Sequence, residues 1–470
     1  MTLRDGVFIA GRWSAGQGDL EMVELGSFDE QPIGSVQSAS VEQVDLAVRA
    51  AAQAFPVWSA TPRGERTAKL HEIADALEAR TDEFAALATR EVGTTLAISK
   101  GVQVGLAVRV LRSTADAMDG LALTEEDENF VVEREPIGVV AAITPWNFPL
   151  HQIVAKLAPA LAAGCTIVVK PAELTSLSAI ALFDLIDGVG LPAGTVNLVC
   201  GEGPVIGEAL VRHPLVDMVS FTGSTRAGTR IGELAINDVK RISLELGGKS
   251  ATVLLDDAEL ERAVPSSLSN CYLNSGQVCS ALTRLIVMRP QLELVEQLLT
   301  KAAERFVPGD PAESSTRLGP LVSGAQRDRV IEYIEIGIAE GARVLVGGPQ
   351  RPAGSGYFVT PTVFTDVTPG MRIAQEEIFG PVLVVIAVDS EEEALAAAND
   401  SAFGLAGAVW SADRDRAVAF ARRMRTGQVA INGGAFNARA PFGGFKKSGN
   451  GRELGKYGLE EYFEYKALVY

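Results

Sequence analysis

Cys279 lies in the run Asn274-Ser275-Gly276-Gln277-Val278-Cys279-Ser280, in which a glycine-containing turn delivers a thiol. If that turn opens a helix, the helix dipole favours thiolate, and Cys279 becomes a nucleophile whose own backbone N–H could serve an oxyanion. Burial as a small apolar residue is the competing reading, and it suits Cys165, Cys200 and Cys271. Glu245 precedes Leu246-Gly247-Gly248-Lys249 at the end of an apolar run, a poor place for a core carboxylate. It can act as a general base if burial lifts its pKa, or it can pair with Lys249 or cap a turn. Asn147 sits in Pro145-Trp146-Asn147-Phe148-Pro149, where two prolines restrain the backbone. Its amide can donate to a developing oxyanion or cap a helix.

Three further groups suit a nucleotide. Lys170 and Glu173, in Lys170-Pro171-Ala172-Glu173, could grip ribose hydroxyls or form a surface pair. Phe221-Thr222-Gly223-Ser224-Thr225-Arg226-Ala227-Gly228 reads as strand, turn and helix start, whose N–H groups favour a pyrophosphate. It is not the usual G-x-G-x-x-G fingerprint. Gly203 and Gly207 flank another helix start and could admit a close approach.

The elements that must hold these residues have a clear rhythm. A short strand pair leads into helices, the first opened by a capping box at 40–43. Residues 122–136 break the helical pattern and read as an excursion from the domain. Continuous apolar runs follow at 139–144, 166–169, 195–199, 218–222 and 242–245, with helical stretches between them. This predicts an open parallel sheet covered on both faces, with ligands beyond the strands' carboxyl ends. A second α/β block spans 248–445, with β-like runs at 251–255, 284–288, 343–346 and 382–388 and helices at 291–306 and 327–340. The C-terminal end reads as a β-rich tail that pairs with another subunit or frays.

A chain of 470 residues, 47% hydrophobic and 21% charged, is globular and long enough for two or three domains. Its net charge of −17 argues against nucleic acid or an anionic membrane as partner. The four cysteines and three histidines show no disulfide framework and no metal-ligand spacing. No leader and no membrane span are read, so a reducing cytoplasm is expected.

Taken together, PWNFP, KPAE, FTGS, LELGGK, GQVC, EEIFGP at 376–381 and PFGGFKKSGNGRE at 441–453 resemble, in order and over essentially the whole chain, the aldehyde dehydrogenase superfamily. The resemblance implies an α/β fold with two open parallel-sheet domains, a Rossmann-like cofactor domain and a catalytic domain, plus a small β oligomerisation arm. The implied boundaries are 1–117 and 137–247 for the cofactor domain, 248–445 for the catalytic domain, and 118–136 with 446–470 for the arm. It implies Cys279 as nucleophile, Glu245 as general base and Asn147 as oxyanion donor. NAD, with NADP as the alternative, would lie against Ile143, Thr144, Pro145, Trp146, Lys170, Glu173, Gly203, Gly207, Phe221, Gly223, Ser224, Leu246, Glu377 and Phe379. No metal is implied.

By the same resemblance an aldehyde becomes a carboxylic acid through a thioester on Cys279, hydrolysed by water that Glu245 activates. CoA-acylating relatives generally lack this Glu. The tunnel would be lined near Phe148, His151, Gln152, Ala155, Val278, Ser280, Phe436 and Phe442. Ala155 stands where succinate-semialdehyde members carry an Arg, so an uncharged aliphatic or aromatic aldehyde is expected. Arg439, in the loop 432–442, meets either an anionic group or solvent. A homodimer or homotetramer is expected. The rival readings are a CoA-acylating enzyme, a silent cofactor-binding member, and a thiol esterase working without redox.

Overall fold

The computed structural model describes residues 6–470; the first five residues of the expected cofactor domain lie outside the described residues. The capping box forms as expected: Ser40 accepts from the Gln43 N–H, Gln43 accepts from the Ser40 N–H, and the helix Val41–Ala60 follows.

The first sheet has eight strands. Its middle is parallel, in the order Arg241–Glu245, Met218–Thr222, Val139–Ile143, Thr166–Lys170 and Val196–Leu198. Val139–Ile143, Thr166–Lys170 and Met218–Thr222 are buried throughout, which is why their sequences run apolar without alternation. The edges are antiparallel: Val7–Ile9 and Arg12–Ser14 at one side, Gly449–Asn450 at the other. From Val139–Ile143 the chain builds outward through the next two strands, then returns to place Met218–Thr222 on the opposite side. That reversal opens a crevice at the carboxyl ends, the place where such sheets bind ligands.

The second sheet has seven strands, parallel except for the edge strand Arg343–Val346. Thr362–Thr365, Ala406–Trp410 and Gln428–Ile431 belong to it although the sequence reading did not pick them out. The expected helices at 291–306 and 327–340 appear as Leu292–Ala303 and Gly324–Ala339.

A third sheet joins Thr124–Glu126, Phe130–Pro136 and the C-terminal strand Phe463–Val469, all antiparallel. The tail therefore pairs with the excursion of its own chain. The stretch before it differs from the arm expected at 446–470. Gly449–Asn450 pairs with the first sheet, and the helix Gly455–Glu460 packs on the helices Gly105–Asp119 and Pro149–Ala163.

Gly449 ties this stretch to the site, because its register partner is Glu245. Its φ is +123°, and a Cβ there would lie 1.9 Å from the Leu244 carbonyl oxygen. Gly449→Ala should therefore lower the unfolding free energy by about 1–3 kcal/mol or more. Denaturant melts of the two proteins check this; equal midpoints and slopes would contradict it.

Candidate active site

The two large sheets meet end to end around the crevice. From the first sheet come residues just past strand ends: Pro145, Trp146 and Asn147; Gly223 and Ser224; Leu246 and Gly247. Thr222 and Glu245 are themselves the last residues of their strands. From the second come residues just before strands: Cys279 ahead of Arg284–Met288, and Glu377 and Phe379 ahead of Val382–Val388. All of these line one cavity of about 590 Å³, together with Gln152, Arg226, Gln326 and Arg329.

Cys279 is half-buried in a turn, not at a helix start. The expected dipole stabilisation is therefore absent. The reason is local backbone: Asn274, Ser275 and Gly276 all have positive φ, so the chain coils back before the cysteine, and the next α-helix begins only at Leu292. Gly276 is required there, since a Cβ would lie 2.1 Å from the Gly380 carbonyl oxygen. Burial pushes the Cys279 thiol well above its ordinary pKa, and Glu377, Glu245 and Glu453 add to the rise. The thiol at rest is protonated and needs a base.

Glu245 is 2% exposed, and neither carboxylate oxygen has a hydrogen-bond partner among the described residues. It neither pairs with Lys249 nor caps a turn; the Lys249 Nζ is likewise buried without a partner. Burial, then the charge of Glu453, raises the Glu245 pKa well above the usual carboxylate range. Lys156 opposes the rise. Its ammonium is wholly buried, ion-paired to Glu453, and donates to the Thr222 hydroxyl at 2.6 Å. Gly443 closes over the carboxylate, for a Cβ there would come within 2.5 Å of Glu245 Oε1.

Asn147 does not cap the next helix, whose cap is Phe148. Its Nδ2 donates to the Gln277 carbonyl at 2.9 Å, and its own carbonyl accepts from Gln103 and Asn274 at 2.9 and 3.1 Å. One amide hydrogen thus anchors the side chain close to the cysteine loop and leaves the other free to donate.

The cofactor side is built as a cradle. Ser224 caps the helix Thr225–Ala235, its hydroxyl accepting from the Ala227 N–H. A Cβ on Gly223 would strike the Phe221 ring at 2.5 Å, and one on Gly247 would meet Glu377 Oε2 at 2.3 Å. Glu377 Oε1 accepts from the Gly248 N–H at 3.0 Å, while burial raises its pKa to about 7. Phe379 holds a left-handed φ of +63°, fixed by Gln326 donating to its carbonyl at 2.8 Å, and its ring meets Trp146 edge-on at 5.3 Å. Lys170 Nζ reaches Glu173 at 3.4 Å and the Pro171 carbonyl at 2.9 Å, and burial lowers its pKa. Gly207 lies by Ile143 and Lys170, at ordinary contact distance for an added Cβ, whereas Gly203 faces open space. This charged, glycine-lined cleft at a helix N-terminus fits a dinucleotide.

The aldehyde dehydrogenase family profile matches residues 13–468. The chain belongs to the aldehyde dehydrogenase family. It is 46% identical over 98% of both chains to a 3-succinoylsemialdehyde-pyridine dehydrogenase from a Pseudomonas species, and 41% identical over 98% of both to a geranial dehydrogenase from Castellaniella defragrans. Its structure superposes with a TM-score of 0.98 on a cysteine-to-alanine mutant of aldehyde dehydrogenase C from Pseudomonas syringae, in complex with NAD+ and octanal. That protein is 44% identical, and the match covers 99% of this chain and 97% of the other.

Within this aldehyde dehydrogenase, the residues expected to line a tunnel disperse more than those expected to hold the cofactor. Gln152 lines the central cavity with its Oε1 unpartnered among the described residues. Phe148 and Ala155 are buried, Ala155 inside the core of the first sheet. His151 is buried, and its pKa falls to about 4 through burial and the charges of Lys156 and Arg109, so it is neutral. Val278 and Ser280 flank the cysteine, half-buried. Phe436 is half exposed and packs at 6.2 Å on Phe442. Arg439 is largely exposed to solvent, and its guanidinium pairs with Asp116 at 3.1 Å.

Gln326 and Arg329 were not foreseen. Both sit at the start of the helix Gly324–Ala339, whose cap Ser323 accepts from the Gln326 N–H. That capping spacing was the available signal. Arg329 donates to the Glu377 carbonyl at 2.8 Å.

The raised pKa of Glu245 has a stability consequence. Both folded and unfolded states hold the proton below the ordinary value of 4.5, and only the folded state holds it above. The wild type should therefore lose stability relative to Glu245→Gln as pH rises from about 4.5, by up to about 1.4 kcal/mol per pH unit. Melting temperatures of both proteins between about pH 5 and 8 test the sign. A variant that is less stable than wild type, increasingly so at higher pH, would contradict it.

Proposed function

We propose that Cys279, Glu245 and Asn147 carry out NAD-dependent oxidation of an uncharged aliphatic or aromatic aldehyde to its carboxylic acid. The observation that carries this reading is the meeting of Cys279 and Glu245 in one cavity, with the base free of any partner among the described residues. A raised carboxyl pKa suits a group that must take and return a proton near neutral pH.

The Cys279 thiol gives its proton to Glu245, and the sulfur adds to the aldehyde carbon, forming a C–S bond and an alkoxide. The free Asn147 N–H and the Cys279 backbone N–H would donate to that oxygen; one such donor is typically worth about 2.7–4 kcal/mol. Collapse of the alkoxide restores the C=O bond and breaks the C–H bond, leaving a thioester on Cys279. When bound, the nicotinamide supplies the acceptor for the hydride that departs in this step. Glu245, having passed its proton to solvent, then takes one from water. The hydroxide oxygen adds to the thioester carbon, the C–S bond breaks, and the carboxylic acid leaves with Cys279 regenerated. A base in this position favours water over CoA as the acceptor.

Ser224 and the first turn of its helix would hold the pyrophosphate, and Glu377 the nicotinamide ribose beside the rings of Trp146 and Phe379. Lys170 and Glu173 would take the adenosine ribose. The exposed Glu173 carboxylate would repel a 2′-phosphate and so favours NAD over NADP. The eight-, seven- and three-stranded sheets support a division into cofactor, catalytic and oligomerisation regions. The exposed Tyr465, Leu468 and Val469 on the C-terminal strand support a homodimer or homotetramer. No helix among the described residues is long and apolar enough to cross a membrane. Four free cysteines, one of them reactive, suit a reducing cytoplasm.

The uncharged substrate class is supported by the neutral His151 and by Ala155. Purified protein given NAD without CoA should oxidise medium-chain and aromatic aldehydes faster than anionic or cationic ones, read as NADH absorbance. Cys279→Ala should reduce that rate by roughly 10⁴-fold or more. Faster turnover of charged aldehydes would overturn the substrate class; near-normal oxidation by Cys279→Ala would overturn the nucleophile.

A further inference from the structure

Arg226 sits where a helix should least want a cation. The helix Thr225–Ala235 is capped by Ser224, so Arg226 is its second residue, and the first turn contains no acidic side chain. The helix N-terminus carries positive partial charge, so a cation there is electrostatically unfavourable. A neighbouring anion would normally relieve this. One turn further on, Arg230 has that relief: its guanidinium bonds both oxygens of Glu208, at 2.8 and 2.9 Å. Arg226 is exposed and has no hydrogen-bond or ion-pair partner among the described residues.

Its position explains the conflict. Arg226 lines the same cavity as Cys279 and Glu377, with Arg329 also on its wall. That cavity also holds unpartnered polar atoms on side chains more than nine-tenths buried: Asn147 Oδ1, Gln152 Oε1 and both Glu245 oxygens. Polar groups left unsatisfied together mark a place completed by a ligand. Local sequence that contradicts its own helix is expected at functional sites and is resolved there by what binds.

Resting on the reading of this cavity as a dinucleotide cleft, we propose that Arg226 grips the cofactor's pyrophosphate, adding a charged contact to the backbone N–H groups of the same helix turn. A guanidinium offers a planar pair of donors that matches phosphate oxygens. The pyrophosphate supplies the anion that the helix start lacks. Arg226 thereby makes cofactor affinity depend on ionic strength, and it discriminates for the diphosphate rather than for adenosine or nicotinamide.

The test is equilibrium binding by calorimetry to the full-length wild type, Arg226→Ser and Arg226→Lys, at about 20 mM and about 300 mM salt. The probes are NAD, ADP-ribose and adenosine. Arg226→Ser should bind NAD and ADP-ribose about tenfold more weakly at low salt, with a shallower salt dependence. Its affinity for adenosine should be unchanged, and Arg226→Lys should recover most of the loss. Without ligand, Arg226→Ser should melt at the same temperature as wild type or higher, which shows that the fold is intact. NAD affinity and salt dependence equal to wild type would overturn the role of Arg226. So would an equal loss for adenosine. Failure of the wild type to bind either NAD or ADP-ribose would instead remove the dinucleotide reading on which the proposal rests.

Discussion

Glu245 is a carboxyl group held almost entirely from water, and neither of its oxygens is bonded to another described residue. Leaving a buried carboxyl unpaired costs several kcal/mol in general, and the group avoids ionisation by raising its pKa. The surroundings are arranged to keep it unpaired. Two glycines, Gly443 and Gly449, allow backbone to close where a side chain would collide. The cation that most opposes the rise, Lys156, is occupied by Glu453 and Thr222. Glu453 is in turn fixed by a backbone bridge to Phe442, so the segments after the second sheet fold back over the first. Much of the molecule's C-terminal path can be understood as the enclosure of this one group.

Cys279, the proposed nucleophile, depends on the same enclosure. Its thiol is disfavoured as thiolate by burial and by three carboxylates, so the helix dipole cannot be what activates it. In the proposed mechanism activation falls to a neighbouring base. Geometry then matters more than intrinsic acidity, and the loop carrying Cys279 is held by local backbone and hydrogen bonds. Three consecutive residues of positive φ shape it, and the Asn147 amide is bonded to its Gln277 carbonyl. On the opposite wall Phe379 keeps a left-handed backbone because Gln326 and its helix hold it. Strain of this kind persists where the surrounding structure over-determines it, and here it aligns the Trp146 and Phe379 rings.

Residues at strand ends were legible because the sequence marks them with polar or glycine residues after apolar runs. The parallel order was legible because doubly buried strands lose their alternation, as in Val139–Ile143 and Met218–Thr222. Gly449–Asn450 was hidden because two residues carry no periodicity; only the tertiary need to cover Arg241–Glu245 makes them a strand. Cys279 looked like a helix start because Gly276 signals a turn, yet the left-handed Asn274 and Ser275 cannot be read from composition. Gln326 and Arg329 lie far in sequence from every motif, and only the packing of their helix against the loop before Val382–Val388 brings them to the cleft.

In the proposed mechanism Glu245 acts a second time, on water, after the thioester has formed. Rapid mixing of Glu245→Gln with NAD and a reactive aldehyde measures this directly. About one equivalent of NADH per Cys279 is expected, formed more slowly than in the wild type because the thiol has lost its base, followed by turnover slowed further, roughly 10²–10⁴-fold, as the thioester accumulates. A variant that turns over at the wild-type steady rate, with no burst, would contradict it.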